Sequence, residues 1–315
     1  MKSKTFFQDI CVSQIVLGTD VYGTDLPRAD AFSLLDAYMA QGGNTLDTAR
    51  MYGKGVSEQT IGSWLKERKC RSKVILSSKC AHPPVSDMTC SRLSREEIES
   101  DVNESLQALG TDYIDILWLH RDDVQVPVSG IIDTLNGLVK QGKIRCFGGS
   151  NWTAARFAEA NAYASATGQQ GFSGSQLKWS VAASSPDYVD DPTLVEMDGV
   201  QYDYYSSTHM PVFAYASQAK GFFQKYAAGG MAALSQKASQ RYYSEENVRV
   251  CSELQKLAAE LSLPLSAVVI AALTSNTDFD TVCIVGCKNT EQLADTMTGA
   301  DVSLPYARIR PLFNF

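Results

Sequence analysis

A (β/α)8 barrel, an α/β fold closed at its floor by an N-terminal β-hairpin, is what this sequence predicts, and three observations lead to it. Short apolar runs alternate with helix-like segments along the chain with little interruption, the pattern of parallel strands joined by crossover helices. Asp47, Lys79 and His120 each close such a run and stand 32 and 41 residues apart, room for one strand, one helix and two loops per step. The rival doubly wound nucleotide domain requires G-x-G-x-x-G in its first βαβ unit. The closest string, Gly53-Lys54-Gly55 followed by Val56, Ser57 and Glu58, lacks the third glycine and does not directly follow a strand.

Taken in chain order, two short β-like stretches near 4–9 and 10–14 predict the hairpin. Eight candidate barrel strands follow: IVLGT (15–19), GNTLDT (43–48), VILSSK (74–79), YIDILWLH (113–120), KIRCFGGS (143–150), GFSGSQLKW (171–179), MPVFAYA (210–216) and DTVCIVG (280–286). Between them lie helix-like segments such as RADAFSLLDAYMAQG, SEQTIGSWLKER, SREEIESDVNESLQALG, SGIIDTLNGLVKQG and TAARFAEANAYASATG. Several open with Ser or Thr and close on Gly, as capped helices do, and Ser94 stands three residues before Glu97 at capping-box spacing. No linker-like break in composition divides the chain, so residues 1–315 are expected to form one barrel domain. Two stretches read as long loops on the carboxyl face, 80–93 and the acid- and tyrosine-rich 184–209, where they would wall a polar, aromatic-lined pocket suited to a hydroxylated ligand. The short stretch 302–315 after the last helix predicts a pocket left open on that side.

Composition bounds the partners. At 44% hydrophobic and 20% charged the chain can bury a full core, and a net charge of −7 argues against nucleic acid and anionic membrane surfaces, which reward dense Lys and Arg. The segment MKSKTFFQDICVSQ lacks the apolar run of a signal peptide and no stretch is long enough to span a bilayer, so the expected compartment is the cytoplasm. The eight cysteines are scattered without a Cys-x-x-Cys pair, and only three histidines accompany them, so no metal site is expected. Cys283 and Cys287, the nearest pair, read as reduced, half-buried thiols.

Polar groups delivered one per strand to the carboxyl ends converge on one face of a closed barrel, where such barrels place their chemistry. Singly, Asp47 and Lys79 read as a structural ion pair and His120 as a strand-end histidine bonded to backbone; together, with Tyr52 five residues after Asp47, they predict an enzyme.

The stretches LGTDVYG (17–23), TLDTARMYGKGVSEQTIGSWLK (45–66), SSK (77–79), LQALGTDYIDILWLHRDD (106–123), GKIRCFGGSNW (142–152), Gln176, FAYASQAKGFF (213–223) and IVGCKNTEQL (284–293) resemble, in order, those of the aldo-keto reductases. The resemblance implies a single-domain (β/α)8 barrel that transfers hydride between a nicotinamide cofactor and a carbonyl or alcohol. It assigns Asp47, Tyr52, Lys79 and His120 to a catalytic tetrad. A carbonyl receiving hydride develops negative charge on oxygen and needs a proton donor; Tyr52 can serve, although a phenol with a pKa of about 10 holds its proton tightly. The Lys79 ammonium would lower that pKa, with Asp47 keeping the lysine charged and in place. His120 would hydrogen-bond the substrate oxygen and orient it.

The same resemblance gives Ser150, Asn151 and Gln176 to the nicotinamide carboxamide and Tyr215 to the stacked ring, with a core tyrosine as the alternative reading of Tyr215. Ala216, Ser217, Gln218, Lys220 and Gly221 fall in the pyrophosphate loop, where small residues admit backbone amides to phosphate. Gly18 and Thr19, after the first barrel strand, join the cofactor set, as do Gly286, Lys288 and Gln292 at the adenosine end. Many relatives carry more basic residues there; with Lys288 alone, NADPH is the expected cofactor and NADH its alternative. Tyr22, His82, Trp118 and Trp152 are the implied substrate contacts, Trp118 sharing strand parity with His120 and reading also as core. The expected partner is a small carbonyl, alcohol or sugar-like molecule, with the reaction direction and oligomeric state left open. Potassium-channel β subunits resemble the same barrel, so a cofactor-binding sensor or interaction subunit is the second function class.

Overall fold

The computed structural model describes residues 1–189, 191–313 and 315, so the predicted loop 184–209 and the stretch 302–315 each include one position outside the description. Strands β1 (Ser3–Phe7) and β2 (Ile10–Ser13) pair antiparallel as the predicted hairpin. Among the described residues, eight parallel strands then close a barrel: β3 (Ile15–Gly18), β4 (Thr45–Asp47), β5 (Ile75–Cys80), β6 (Ile114–Leu119), β7 (Ile144–Ser150), β8 (Ser175–Lys178), β9 (Val212–Tyr215) and β10 (Thr281–Val285), with β10 pairing back onto β3. Each predicted strand is present, trimmed by one to four residues at an end where the chain turns into a loop.

Helices α1 (Arg28–Ala40), α2 (Val56–Arg68), α3 (Arg95–Leu109), α4 (Val128–Lys140) and α5 (Ala154–Ala166) fill the first crossovers. Ser94 caps α3 by accepting from the Glu97 amide (3.3 Å), but its hydroxyl donates to the Glu97 carboxylate (2.8 Å) instead of leaving that carboxylate to bond back to the backbone. Thr153 caps α5 through the Arg156 amide. Ser57 and Ser129 lie inside α2 and α4 and do not cap them; Ser57 bonds the Thr19 carbonyl and the Thr48 hydroxyl, tying α2 to the ends of β3 and β4.

The loop predicted over 184–209 is only partly a loop. Its second half is helix α6 (Gly199–Thr208), capped by the Asp198 carboxylate on the Gln201 amide and packed through Tyr202 and Tyr205. A short acidic and aromatic segment without an apolar stripe hides that helix from periodicity. The connection from β9 to β10 carries α7 (Phe222–Gly229), α8 (Gln236–Tyr242), α9 (Glu245–Leu261) and α10 (Leu265–Thr274), and α11 (Thr290–Met297) and α12 (Tyr306–Ile309) follow β10. Among the described residues no single helix is long and apolar enough to cross a membrane.

The barrel interior is a second core, distinct from the one under the helices. The hairpin sends Phe6 into the floor, where its ring meets Trp118 (5.9 Å between centroids) and Phe213 (5.0 Å) beside Ile10, Val12, Val16 and Ile116. Gly148 on β7 makes room for this plug, since a Cβ there would sit 2.3 Å from the Trp118 ring. The filled floor leaves the carboxyl ends of the strands as the open mouth.

Candidate active site

The mouth gathers four polar residues from four places in the chain. Asp47 ends β4 and Lys79 stands one residue before the end of β5, so adjacent strands bring them together: Lys79 Nζ donates to Asp47 Oδ2 (2.5 Å) and to the Thr48 carbonyl (2.8 Å). Both are buried, at 3% and 2% exposure. Asp47 Oδ1 accepts from Gln176 Nε2 (2.9 Å) and the Ser77 hydroxyl (3.0 Å), and Ser77 in turn accepts from Trp118 Nε1 (2.7 Å). The Asp47 carboxylate is therefore fixed from β5 and β8 as well as by its lysine. Tyr52 begins a tight turn after β4 that brings its ring 4.8 Å from Lys79 Nζ and 5.9 Å, edge to face, from the His120 ring.

Electrostatics follow from this packing. Burial pulls the Lys79 pKa down, yet Asp47 and Tyr52 together hold it above the ordinary lysine value, so it stays an ammonium. Burial raises the Tyr52 phenol and the Lys79 charge only partly offsets it. The sequence predicts a phenol lowered by Lys79; the pull is present, but desolvation exceeds it and Tyr52 keeps its proton at neutral pH. Burial, Lys79, Arg121 and His82 push the His120 pKa well below the ordinary value, making it a neutral imidazole, and its Nδ1 is buried without a hydrogen-bond partner. The mouth thus offers a protonated phenol, a fixed ammonium beside it and an uncommitted imidazole.

The cofactor candidates fall on one side of this cluster. Ser150 ends β7, Asn151 follows it, and Gln176 lies on β8, level with Ser150 in the sheet register. Asn151 adopts a left-handed backbone (φ 60°) and acts as a hub: its Nδ2 donates to the His120 carbonyl (3.2 Å) and Ser150 Oγ (3.1 Å), while its Oδ1 accepts from Tyr215 (2.7 Å) and the Val195 amide (3.2 Å). Tyr215 ends β9 with its ring partly exposed. Beyond it Ala216, Ala219, Lys220 and Gly221 all take positive φ in a tight turn, where the Ala219 amide donates to the Ala216 carbonyl (2.8 Å) and the Gly221 amide to the Gln218 carbonyl (2.8 Å). Lys225 leans over this turn to donate to the Lys220 carbonyl (2.8 Å). Gln218 donates to Thr296 (3.2 Å). Across the mouth Gly286 is exposed with open space where a Cβ would stand, and the Lys288 amide donates to Gln292 Oε1 (3.0 Å) at the start of α11. These residues fit a dinucleotide in kind: a tight turn of small residues carrying Lys220, amide side chains at one end and a lysine at the other.

Burial corrects several assignments. Trp118 is wholly buried in the floor plug and serves Asp47 through Ser77, so it has no face for substrate. Trp152 is likewise buried outside the barrel, donating to the Arg121 carbonyl among Phe157 and Phe172. Tyr22, 1% exposed, lies in the core beside Leu26. Thr19 has both amide and hydroxyl committed to the Asp47 carbonyl, and the Ser217 hydroxyl donates to the Ile284 carbonyl (2.8 Å), so these side chains hold the scaffold. Strand-end position alone does not tell depth. Of the four implied substrate contacts His82 remains in place, partly exposed, its ring 4.7 Å from that of His120 and its Nδ1 donating to the Pro83 carbonyl (2.6 Å).

Sequence reasoning passed over Arg121 and Lys178. Arg121, directly after His120, donates to the His120 carbonyl (2.8 Å), to Thr193 (2.8 Å) and to Asp191 (3.0 Å). Lys178 lies two residues beyond Gln176 and so shares its inward parity, a signal legible in the strand. A cleft of about 710 Å3 between α2 and α3 lies off this face, and its Arg50 and Arg71 are already paired with Glu104 and Asp115.

A barrel with this mouth defines a class, and comparison with known proteins places the chain within it. The model of the Aldo/keto reductase family matches residues 14–310, and the chain belongs to that family. A norsolorinic acid reductase of Aspergillus flavus is 33% identical over 190 residues, covering 54% of this chain and 47% of that protein. A probable aryl-alcohol dehydrogenase of Saccharomyces cerevisiae is 36% identical over 162 residues, covering 49% of each. The chain spans about half the length of the curated relatives it matches. A crystal structure of a thermostable aldo-keto reductase in complex with the inhibitor epalrestat superposes with a TM-score of 0.75 over 99% of this chain and 98% of that one, at 20% identity, a likeness of fold.

Proposed function

We propose that the barrel mouth is the active site of an NAD(P)H-dependent carbonyl reductase in which Tyr52 is the general acid. The observation that carries the reading is the convergence of Tyr52, Lys79, Asp47 and the unpartnered Nδ1 side of His120 in one desolvated site. A reduced nicotinamide bound there would supply the hydride. Gln176, Asn151 and Ser150 would hold its carboxamide, Tyr215 its ring, the Ala216–Gly221 turn its pyrophosphate, and Gly18, Gly286, Lys288 and Gln292 its adenosine half. Lys288 favours NADPH, with NADH as the alternative.

The chain's own residues do the rest. His120, neutral at working pH, orients the carbonyl oxygen without repelling an electrophilic carbon. As negative charge develops on that oxygen, the Tyr52 hydroxyl transfers its proton to it, and the adjacent Lys79 ammonium stabilises the phenolate left behind. Asp47 keeps Lys79 charged and aimed throughout. The reverse sequence oxidises an alcohol by the same groups. Relatives named for aryl alcohols and for norsolorinic acid reduction make an aryl carbonyl the first substrate class to try.

The test is NADPH consumption with a reactive aromatic aldehyde, wild type against Tyr52→Phe, at equal cofactor occupancy. The expected loss is about 10²- to 10⁴-fold, the usual worth of a positioned general acid. Equal turnover by the variant would remove Tyr52 from the role.

A further inference from the structure

The segment 191–197 is strapped across the carboxyl ends of three strands. Asp191 and Thr193 bind Arg121 after β6, the Val195 amide donates to Asn151 after β7, and Val195 and Met197 make backbone hydrogen bonds to Lys178 on β8. Glu196 pairs with the Lys178 ammonium, which also donates to Ser184 (2.7 Å). Lys178 is a buried side chain at the mouth, next in the sheet to Tyr215 and so beside the start of the 216–221 turn. It is not the only cation there: Arg241 shares the Tyr242 ring with it, Lys178 at 5.7 Å and Arg241 at 5.9 Å from the centroid. Arg241 and Lys220 both act on it as like charges. Glu196 is the carboxylate that offsets this crowding, and it is itself 44% exposed.

We propose that Lys178 is a phosphate-gripping residue of the dinucleotide site that Glu196 holds in reserve, so that the strap and the cofactor's pyrophosphate compete for one ammonium group. The inference rests on the cofactor reading given above. A pyrophosphate settling on the Ala216–Gly221 turn, which carries Lys220, draws Lys178 from Glu196. Losing that pair removes one side-chain anchor of the strap, which Arg121, Asn151 and the Lys178 backbone still hold, so cofactor arrival displaces Glu196 alone. The negative Glu196 opposes binding until then.

Binding titrations of NADPH, followed by quenching of tryptophan fluorescence without substrate, test it in wild type, Glu196→Gln, Lys178→Met and the double variant, with thermal melts checking that each folds. Glu196→Gln is expected to tighten NADPH by roughly five- to tenfold and Lys178→Met to weaken it by about tenfold, the scale of one charge-assisted contact. In the Lys178→Met background Glu196→Gln should lose most of its effect. Unchanged or weaker binding by Glu196→Gln overturns the inference, as does equal tightening with and without Lys178, which would make Glu196 a remote charge and not a competitor. Wild type that binds no NADPH overturns instead the cofactor reading beneath it.

Discussion

Protonating His120 costs the folded protein stability, because burial first and then the Lys79, Arg121 and His82 charges hold its pKa well below the ordinary value near 6.5. Above that value both folded and unfolded chains carry a neutral imidazole at this position, and the contribution is complete. As pH falls through and below it the unfolded chain takes the proton first, and stability is lost down to the folded pKa. Thermal melts between pH 7 and 5 should therefore fall more steeply for wild type than for His120→Gln; parallel curves would remove the buried imidazole as the cause. Lys79 predicts the larger single loss. Lys79→Met leaves the Asp47 carboxylate buried without its countercharge, which should cost about 3–5 kcal/mol in urea unfolding, and adding Asp47→Asn should recover part of it. At this scale the sequence is legible where a polar residue interrupts an apolar run, as Asp47, Lys79 and His120 do. Trp118 was legible too, its parity with His120 favouring a core position, but the sequence is opaque where depth decides, as for Trp152 and Tyr22, whose positions near strand ends say nothing of the neighbours that bury them.

The hairpin enters the barrel floor through Phe6, Ile10 and Val12, and Phe6 is the largest of them. Phe6 enters the floor against Trp118 and Phe213, the far end of the barrel from Tyr52 and Lys79. Phe6→Ala should lower unfolding stability by about 3–5 kcal/mol while leaving NADPH affinity within error of wild type. A loss of affinity as large as the loss of stability would mean that floor and mouth are coupled. The strands were readable because parallel barrel strands are buried on both faces and appear as continuous apolar runs. Helix α6 was not, for its tyrosines pack by contact with Trp179, Phe279, Phe313 and Phe315 and follow no apolar period. The same packing draws the 302–315 stretch onto α6: Tyr306 donates to the Asp278 carboxylate that also accepts from Tyr202.

Seen whole, the molecule separates stability from chemistry along the barrel axis. Apolar layers and the hairpin fill the floor, and the polar groups of β4, β5, β6, β7 and β8 meet at the mouth beneath the 191–197 strap. Parallel connectivity sends every strand's carboxyl end to one face, so residues as distant in sequence as Asp47 and Gln176 come within 2.9 Å. That is why a spacing rule could anticipate the gathering, and strand parity the inward Lys178, while the Asn151 hub and the Arg121 anchor, which depend on a loop of irregular path, could not be anticipated. The proposed reaction makes one demand of this mouth: a hydride must pass from the nicotinamide to a carbonyl carbon. Mass spectrometry of the product formed from an aryl aldehyde and NADPH deuterated at the transferring C4 position measures this directly. The account predicts an alcohol one mass unit heavier with wild type and a rate lowered by at least about 10²-fold with Tyr52→Phe. Tight NADPH binding with no label reaching any of a panel of aldehydes and ketones would contradict it and leave a cofactor-binding sensor as the reading of this barrel.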